Sequence, residues 1–240
     1  MIRRKIISGI AICIASTAFM QAQSLDEIVA KSVLASGGKE AIEKINTISV
    51  ESTTQVMGNE SPTKTIIVNG KAYKNVSDMG GQQIIQCYTD KGGWMINPMS
   101  GSAPQVLPAN QYKSGKLSFE VGGPLFNYQA KGYKLELLGK EMVGQVEAFK
   151  LKLVTKDSAE FTYFIDPSSY HVIEADQKTE MMGQQITMKV SYSDFRKTDI
   201  GYVMPFAMDM AFGDQFSLNV VVKKVEFNTV IDPTIFEMPK

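Results

Sequence analysis

The residues able to make or break bonds are few in this 240-residue chain, and they stand apart from one another. His171 is the only histidine, and no Cys, His or acidic partners surround it in the pattern of a zinc or transition-metal site. Cys87 lies in a strand-like run without a second His or Cys to hold it as a thiolate, so it reads as a buried, inert thiol. The chain has no G-x-S-x-G elbow, no P-loop and no H-E-x-x-H helix. Asp90, Asp176 and Glu180 are scattered acids on which a carboxylate-dependent hydrolase would have to rest, and spacing alone pairs none of them. The expectation is a non-enzyme with no catalytic residue, no metal and no cofactor.

What the chain offers instead is apolar spacing. Residues 202–212, Y-V-M-P-F-A-M-D-M-A-F, put Met204, Phe206, Met208, Met210 and Phe212 at alternate positions, hence on one face of a β-strand. After Gly213-Asp214 the alternation resumes through Phe216, Leu218, Val220 and Val222, which marks a hairpin. Ile186, Met188 and Val190 alternate with Lys189 and Ser191, and Leu151 and Leu153 with Lys150 and Lys152, each giving one apolar and one polar face. Such a wall is either an ordinary core or the lining of a cavity. Methionine favours the cavity, because its flexible, polarizable side chain suits variable apolar ligands, whereas tightly specified cores use Leu, Ile and Val. Trp94, in G-G-W-M-I-N-P, likewise reads as a ligand-stacking ring or a half-buried core residue.

These faces need elements to position them, and the chain supplies a helix followed by many strands. Arg3, Arg4 and Lys5 precede an apolar run of about 14 residues with small residues at Ala18 and Ala22, the pattern of a cleaved signal peptide over residues 1–22. That run is shorter than the roughly 20 residues a membrane span needs. Cys13 falls inside the run without the small neighbours of a lipid-attachment site, so the exported product is expected to be periplasmic and unlipidated. Residues 23–240 then form one domain with Cys87 as its only cysteine and no disulfide. Loss of three basic residues leaves 22 against 25 acids, which gives nucleic-acid binding no support.

Ser24 with Glu27 makes a capping box, and Leu25, Ile28, Val29, Ser32 and Val33 share one helical face up to Gly37-Gly38. Residues 39–45 add a shorter helical piece. From Thr47 the period drops to two, and about a dozen strand-like runs follow, punctuated by turns such as Asn69-Gly70. Residues 98–128 break this rhythm with Pro104, Pro108, Gly115, Gly122, Gly123 and Pro124 around Leu107, Leu117, Phe119, Leu125 and Phe126, the composition of a lid. A sheet this wide must curl or close. The expected fold is mainly β: a strongly curved antiparallel half-barrel with the N-terminal helix and the lid over its concave face. Counting strands puts the Met57, Met79 and Met182 turns on one rim, together with the lid.

In order along the chain, A-S-G-G-K-E-A-I-E-K-I-N-T-I (residues 35–48), G-G-W-M-I-N-P (93–98 and flanking residues), G-P-L-F-N-Y (123–128), Y-F-I-D-P (163–167), G-Y-V-M-P-F (201–206) and V-E-F-N-T-V-I-D-P-T-I-F-E-M-P (225–239) resemble the outer-membrane lipoprotein-sorting-like proteins. These are related to the periplasmic lipoprotein carriers of the LolA/LolB-like fold. The resemblance implies a half-closed barrel with a helix-covered apolar concave face and a non-enzymatic role in binding or carrying lipoprotein or lipid. It also implies an arginine that holds the lid shut; the only arginine after the signal segment is Arg196, in D-F-R-K at a strand end outside the lid. The expected partners are an apolar or acylated ligand and, at the methionine rim, transient contact with a membrane or membrane protein, with the chain a monomer. The alternative is a structural or interaction module whose apolar face is a closed core.

Overall fold

The computed structural model describes residues 23–181 and 184–239. The expected signal segment and Met182 lie outside the described residues. Two helices come first, α1 (Leu25–Ala35) and α2 (Lys39–Glu43). The Ser24 hydroxyl accepts from the Glu27 backbone N–H at 3.2 Å, capping α1 where the S-x-x-E spacing predicts. Ile28, Val29 and Ser32 of α1 are buried, on the face the 3.6-residue period selects.

Thirteen strands follow: β1 (Thr47–Val56), β2 (Asn59–Val68), β3 (Ala72–Met79), β4 (Gln82–Thr89), β5 (Gly92–Asn97), β6 (Gly101–Val106), β7 (Lys134–Val143), β8 (Val146–Val154), β9 (Glu160–Ile165), β10 (Val172–Met181), β11 (Gln184–Lys197), β12 (Val203–Phe212) and β13 (Phe216–Phe227). They form a single antiparallel sheet in the order β6-β5-β4-β3-β2-β1-β13-β12-β11-β10-β9-β8-β7. The sheet stays open, with β6 and β7 as its edges and the first and last strands paired at its centre. Between β6 and β7 the chain forms α3 (Ala109–Gly115), a 3-10 helix (Lys116–Phe119) and a run of turns.

Directly opposed residues of an antiparallel pair share a face, so the register assigns every side chain. The concave face carries Leu151 and Leu153 of β8, Phe161 and Tyr163 of β9 and Ala175 of β10, packed against Ile28 and Val29 of α1 and Leu117 and Leu125 of the lid. Burying Ile28 completely is worth about 1.5–3 kcal/mol. A second cluster joins Ile42 and Ile45, at and just after α2, to Ile48, Val121 and Phe126. Gly37 fixes the far end of α1: its φ is +102°, and a Cβ there would sit 2.3 Å from the Gly201 carbonyl oxygen. The Val203 N–H donates to the Ser36 carbonyl at 3.0 Å, tying that helix end to the start of β12.

The structure corrects four sequence expectations. Residues 101–106, assigned to the lid, form edge strand β6, where Pro104 is tolerated because edge positions include donors not needed by a neighbour. With this extra strand the lid leaves from the rim opposite the Met57 turn, since Leu107 N–H donates to Gly93 O beside the β4–β5 turn. Trp94 points to the convex face, where it packs with Cys87, Ile85 and Ala72 beneath Phe236 of the C-terminal segment, and so shares no face with the methionine wall. Met204 and Phe206 also leave that wall. At Asp194, whose φ is +52°, the β11–β12 pairing skips a position and the alternation slips. Arg196 then sits opposite Met204 and stacks over the Phe206 ring at 4.7 Å, away from the cavity side.

The β1–β2 and β12–β13 connections share one edge of the half-barrel, since Val56 opposes Leu218 and Phe216 opposes Phe212, with Met188 of β11 opposite Phe212.

Candidate functional site: a cavity between lid and sheet

On the concave face the chain forms a half-open cavity of about 320 Å³. One wall is the lid, with Leu117, Ser118, Gly122, Gly123, Pro124 and Leu125; the end of α1 contributes Ser36. The floor comes from four adjacent strands, with Phe161 and Tyr163 of β9, Ala175 and Gln177 of β10, Met188, Val190, Tyr192 and Phe195 of β11, and Val203 and Pro205 of β12. The space opens over Ala175. It stands opposite Tyr163 on one side and Val190 on the other, so a small side chain lies where its neighbours are large.

The sequence-chosen wall divides into three parts. Met188 and Val190 line the cavity. Met208, Met210 and Phe212 oppose Tyr192, Val190 and Met188, so they continue the same face toward the rim, with Ile186 beside them, and all stay half-buried. No buried cluster covers this stretch among the described residues. Leu151 and Leu153 are 0% exposed under α1, so they form core instead of cavity lining. In the lid, Leu117 and Leu125 reach the cavity, Leu107 and Phe119 pack on Tyr88, and Phe126 packs against Ile42. Met57 is 82% exposed at its turn; β3 ends at Met79 on the same rim.

His171 sits at the β9–β10 turn and borders the cavity, its ring stacked on Phe195 at 4.1 Å. Burial lowers its pKa from the usual histidine value, against a weaker raising pull from Asp166, so the ring is neutral at neutral pH. Burial pushes Tyr192 up to about 12, with Tyr202 adding to the shift, and raises Tyr163 and Tyr202 as well. All three phenols therefore keep their protons. Cys87 is 0% exposed and pushed up to about 11 by burial, which leaves it a thiol on the convex side. Sequence reasoning misses Phe161, Tyr163, Ala175, Gln177, Tyr192 and Tyr202 as cavity residues, and also Phe195, Val203 and Pro205, which flank the interruption of the ladder at Asp194.

The lid is clamped without an arginine. Arg196 Nε and Nη2 donate to the two Asp194 oxygens at 2.9 and 2.6 Å, on β11 itself. In the lid, Lys131 Nζ donates to Glu120 Oε2 at 2.6 Å and to the Gly123 carbonyl at 3.0 Å, and the Tyr133 hydroxyl donates to Glu120 Oε1. Lys116 pairs with Asp157 in the β8–β9 turn. Val121 N–H donates to the Asn69 side chain and Gly70 N–H to the Phe119 carbonyl, anchoring the lid to the β2–β3 turn.

With this geometry in hand, likeness to solved structures decides the fold. An outer membrane lipoprotein-sorting protein domain from Vibrio parahaemolyticus superposes with a TM-score of 0.56 at 14% identity, over 87% of this chain and 95% of that one. A LolA superfamily protein from Nitrosomonas europaea gives 0.55 at 14% identity, over 88% and 97%. This chain has the LolA-like fold. A DUF1329 family protein from Desulfovibrio piger shares it, with a TM-score of 0.58 at 12% identity over 88% and 96%. No family model and no curated protein matches the sequence. The lipoprotein-sorting-like resemblance read from the motifs thus agrees with the LolA-like architecture of open sheet, N-terminal helix and lid.

Proposed function

We propose that this chain is an exported, periplasmic binding or carrier protein that takes an apolar or acylated molecule, a lipid or the lipid part of a lipoprotein, on its concave face and does no chemistry on it. The observation that carries this reading is the cavity beneath the lid, continued by an uncovered half-buried wall of Met208, Met210 and Phe212. Its volume of about 320 Å³ falls at the low end of the roughly 300–1,000 Å³ usual for small-molecule sites. A chain longer than the cavity has apolar wall to lie along. The solved neighbours described as lipoprotein-sorting and LolA superfamily proteins support the same class of cargo, and the N-terminal Arg3, Arg4, Lys5 and apolar run support export.

A closed-core interaction module accounts for β7–β9, where α1 fills the face, but leaves the cavity and the methionine stretch without a purpose. A carboxylate-dependent hydrolase is less favoured, since among the described residues no Asp or Glu lines the cavity, the Glu180 side chain lying outside them. Met208→Glu places a charge on the wall, where desolvating it is costly, and abolishes uptake of a fluorescent acyl probe. Val221→Glu, on the opposite, exposed face of the neighbouring strand, leaves uptake unchanged. Equal uptake by both folded variants removes the wall from the binding account.

A further inference from the structure

The cavity is apolar in most of its lining, yet three tyrosines converge on it. Tyr163, Tyr192 and Tyr202 all line it, and Tyr192 interacts electrostatically with both of the others, so the three phenols neighbour one another in sequence Tyr163, Tyr192, Tyr202 across the floor. Tyr163 is only 7% exposed. Among the described residues, none of these three hydroxyls has a hydrogen-bond partner. Tyr88, packed against Leu107 and Phe119 outside the cavity, shares this lack of a partner, whereas Tyr133 pairs with Glu120, Tyr128 with Asp26, Tyr112 with the Thr89 carbonyl and Tyr170 with Gln23. Asp176 Oδ1 is the one fully buried side-chain polar atom without a partner among the described residues, so these three hydroxyls are open to solvent, and a cargo that displaces that solvent without accepting a hydrogen bond costs about 1–3 kcal/mol for each. Three such hydroxyls side by side are therefore donors awaiting an acceptor.

The acceptor's charge follows from what is missing from the lining. Among the described residues no Lys, Arg, Asp or Glu borders the cavity, and His171 is held neutral by burial. A carboxylate or phosphate buried there would have no counter-charge, and an unpaired buried anion is far costlier than a neutral polar group. We infer that Tyr163, Tyr192 and Tyr202 form a polar subsite that reads the neutral carbonyl of an ester-linked acyl group, with Gln177 as a further neutral partner, so that the cavity selects acyl esters over free fatty acids. The inference rests on the carrier reading above and deepens it to a chemical class.

Three fluorescent probes with the same alkyl chain test it: a methyl ester, the free acid at pH 8, and the hydrocarbon with no acceptor. The intact protein binds the ester at least about tenfold more tightly than the acid, because the carboxylate would enter without a counter-charge. Tyr192→Phe, and the triple Tyr163→Phe, Tyr192→Phe, Tyr202→Phe, lower ester affinity by a similar factor and leave hydrocarbon affinity unchanged. Equal binding of ester and acid, or phenylalanine variants that keep full ester affinity, overturn the subsite while leaving the carrier reading intact. Failure of all three probes to bind overturns the carrier reading and the subsite together. The single Tyr192→Phe variant keeps the test decisive if the triple variant does not fold.

Discussion

Lys131 Nζ lies 2.6 Å from Glu120 Oε2, and this pair closes the lid on itself. Both side chains are largely shielded, at 25% and 19% exposure, so the bond escapes most of the screening that weakens surface ion pairs. The Tyr133 hydroxyl on the second Glu120 oxygen makes the carboxylate a shared anchor for residues on either side of the glycine-rich turn. Glu120→Gln keeps the shape and removes the charge. Amide hydrogen exchange over residues 116–126 is expected to rise several-fold, with faster uptake of acyl probe and a loss of global stability of about 1 kcal/mol. Unchanged exchange in that segment counts against the clamp.

Asp176 gives a pH prediction on the convex face. Its Oδ1 is buried without a hydrogen-bond partner, and burial raises its pKa, with Lys189 opposing and Glu174 adding to the shift. A raised folded pKa means that the native state holds the proton more tightly than the unfolded chain. Stability from this group therefore rises as pH falls from the raised value toward 3.8, and at pH 7 the full penalty of the charged form is present. Asp176→Asn is expected to raise the midpoint of thermal unfolding at pH 7, by the equivalent of about 1 kcal/mol. The advantage should shrink as the pH drops through the raised pKa. An advantage that is constant from pH 7 to 4, or a loss at pH 7, contradicts this account.

The C-terminal segment seals the other side of the sheet. The Trp94 indole N–H donates to the Phe236 carbonyl at 2.8 Å, and the Phe236 ring closes the cluster of Ala72, Ile85 and Cys87. Phe236→Ala is expected to cost about 3–5 kcal/mol and to shift Trp94 fluorescence to the red as water reaches the indole. Acyl-probe affinity, measured where the variant remains folded, should not change, because this cluster and the cavity lie on opposite faces. Loss of affinity without unfolding would join the two faces functionally.

Much of the architecture was legible because it rests on local rules. The capped helix, its buried stripe, the Asn69-Gly70 turn and the β12–β13 hairpin each follow from a few adjacent residues, and they occur where the spacing puts them. The misplacements share a cause, which is that long-range partners decide them. Trp94 reads as half-buried either way until Phe236, 142 positions later, covers it. Met204 and Phe206 obey perfect alternation, and they leave the wall where the ladder to β11 is interrupted beside Asp194, whose φ is +52°. The unpaired tyrosines are invisible in sequence, since their significance lies in partners they lack.

The rim is where entry is expected. Met57 stands 82% exposed at the β1–β2 turn, on the edge toward which Met208, Met210 and Phe212 extend. Met142, 60% exposed near the β7–β8 turn, occupies the opposite edge and serves as its control. Met57→Ser should slow acyl-probe uptake several-fold at unchanged stability, since flexible exposed methionine suits transient apolar contact. Met142→Ser should leave the rate as it was. The reverse ranking in stopped-flow traces would move the entry to the other rim.

The most direct measurement is to load the protein with a photoactivatable diazirine acyl ester, irradiate it, and map the labelled residues by peptide mass spectrometry. The account predicts adducts on Leu117 and Leu125 of the lid and on Met188, Val190, Met208 and Met210 of the sheet, competed away by excess unlabelled ester. Adducts confined to the convex face around Trp94, or labelling that excess ester does not reduce, would contradict the assignment of cargo to the cavity beneath the lid.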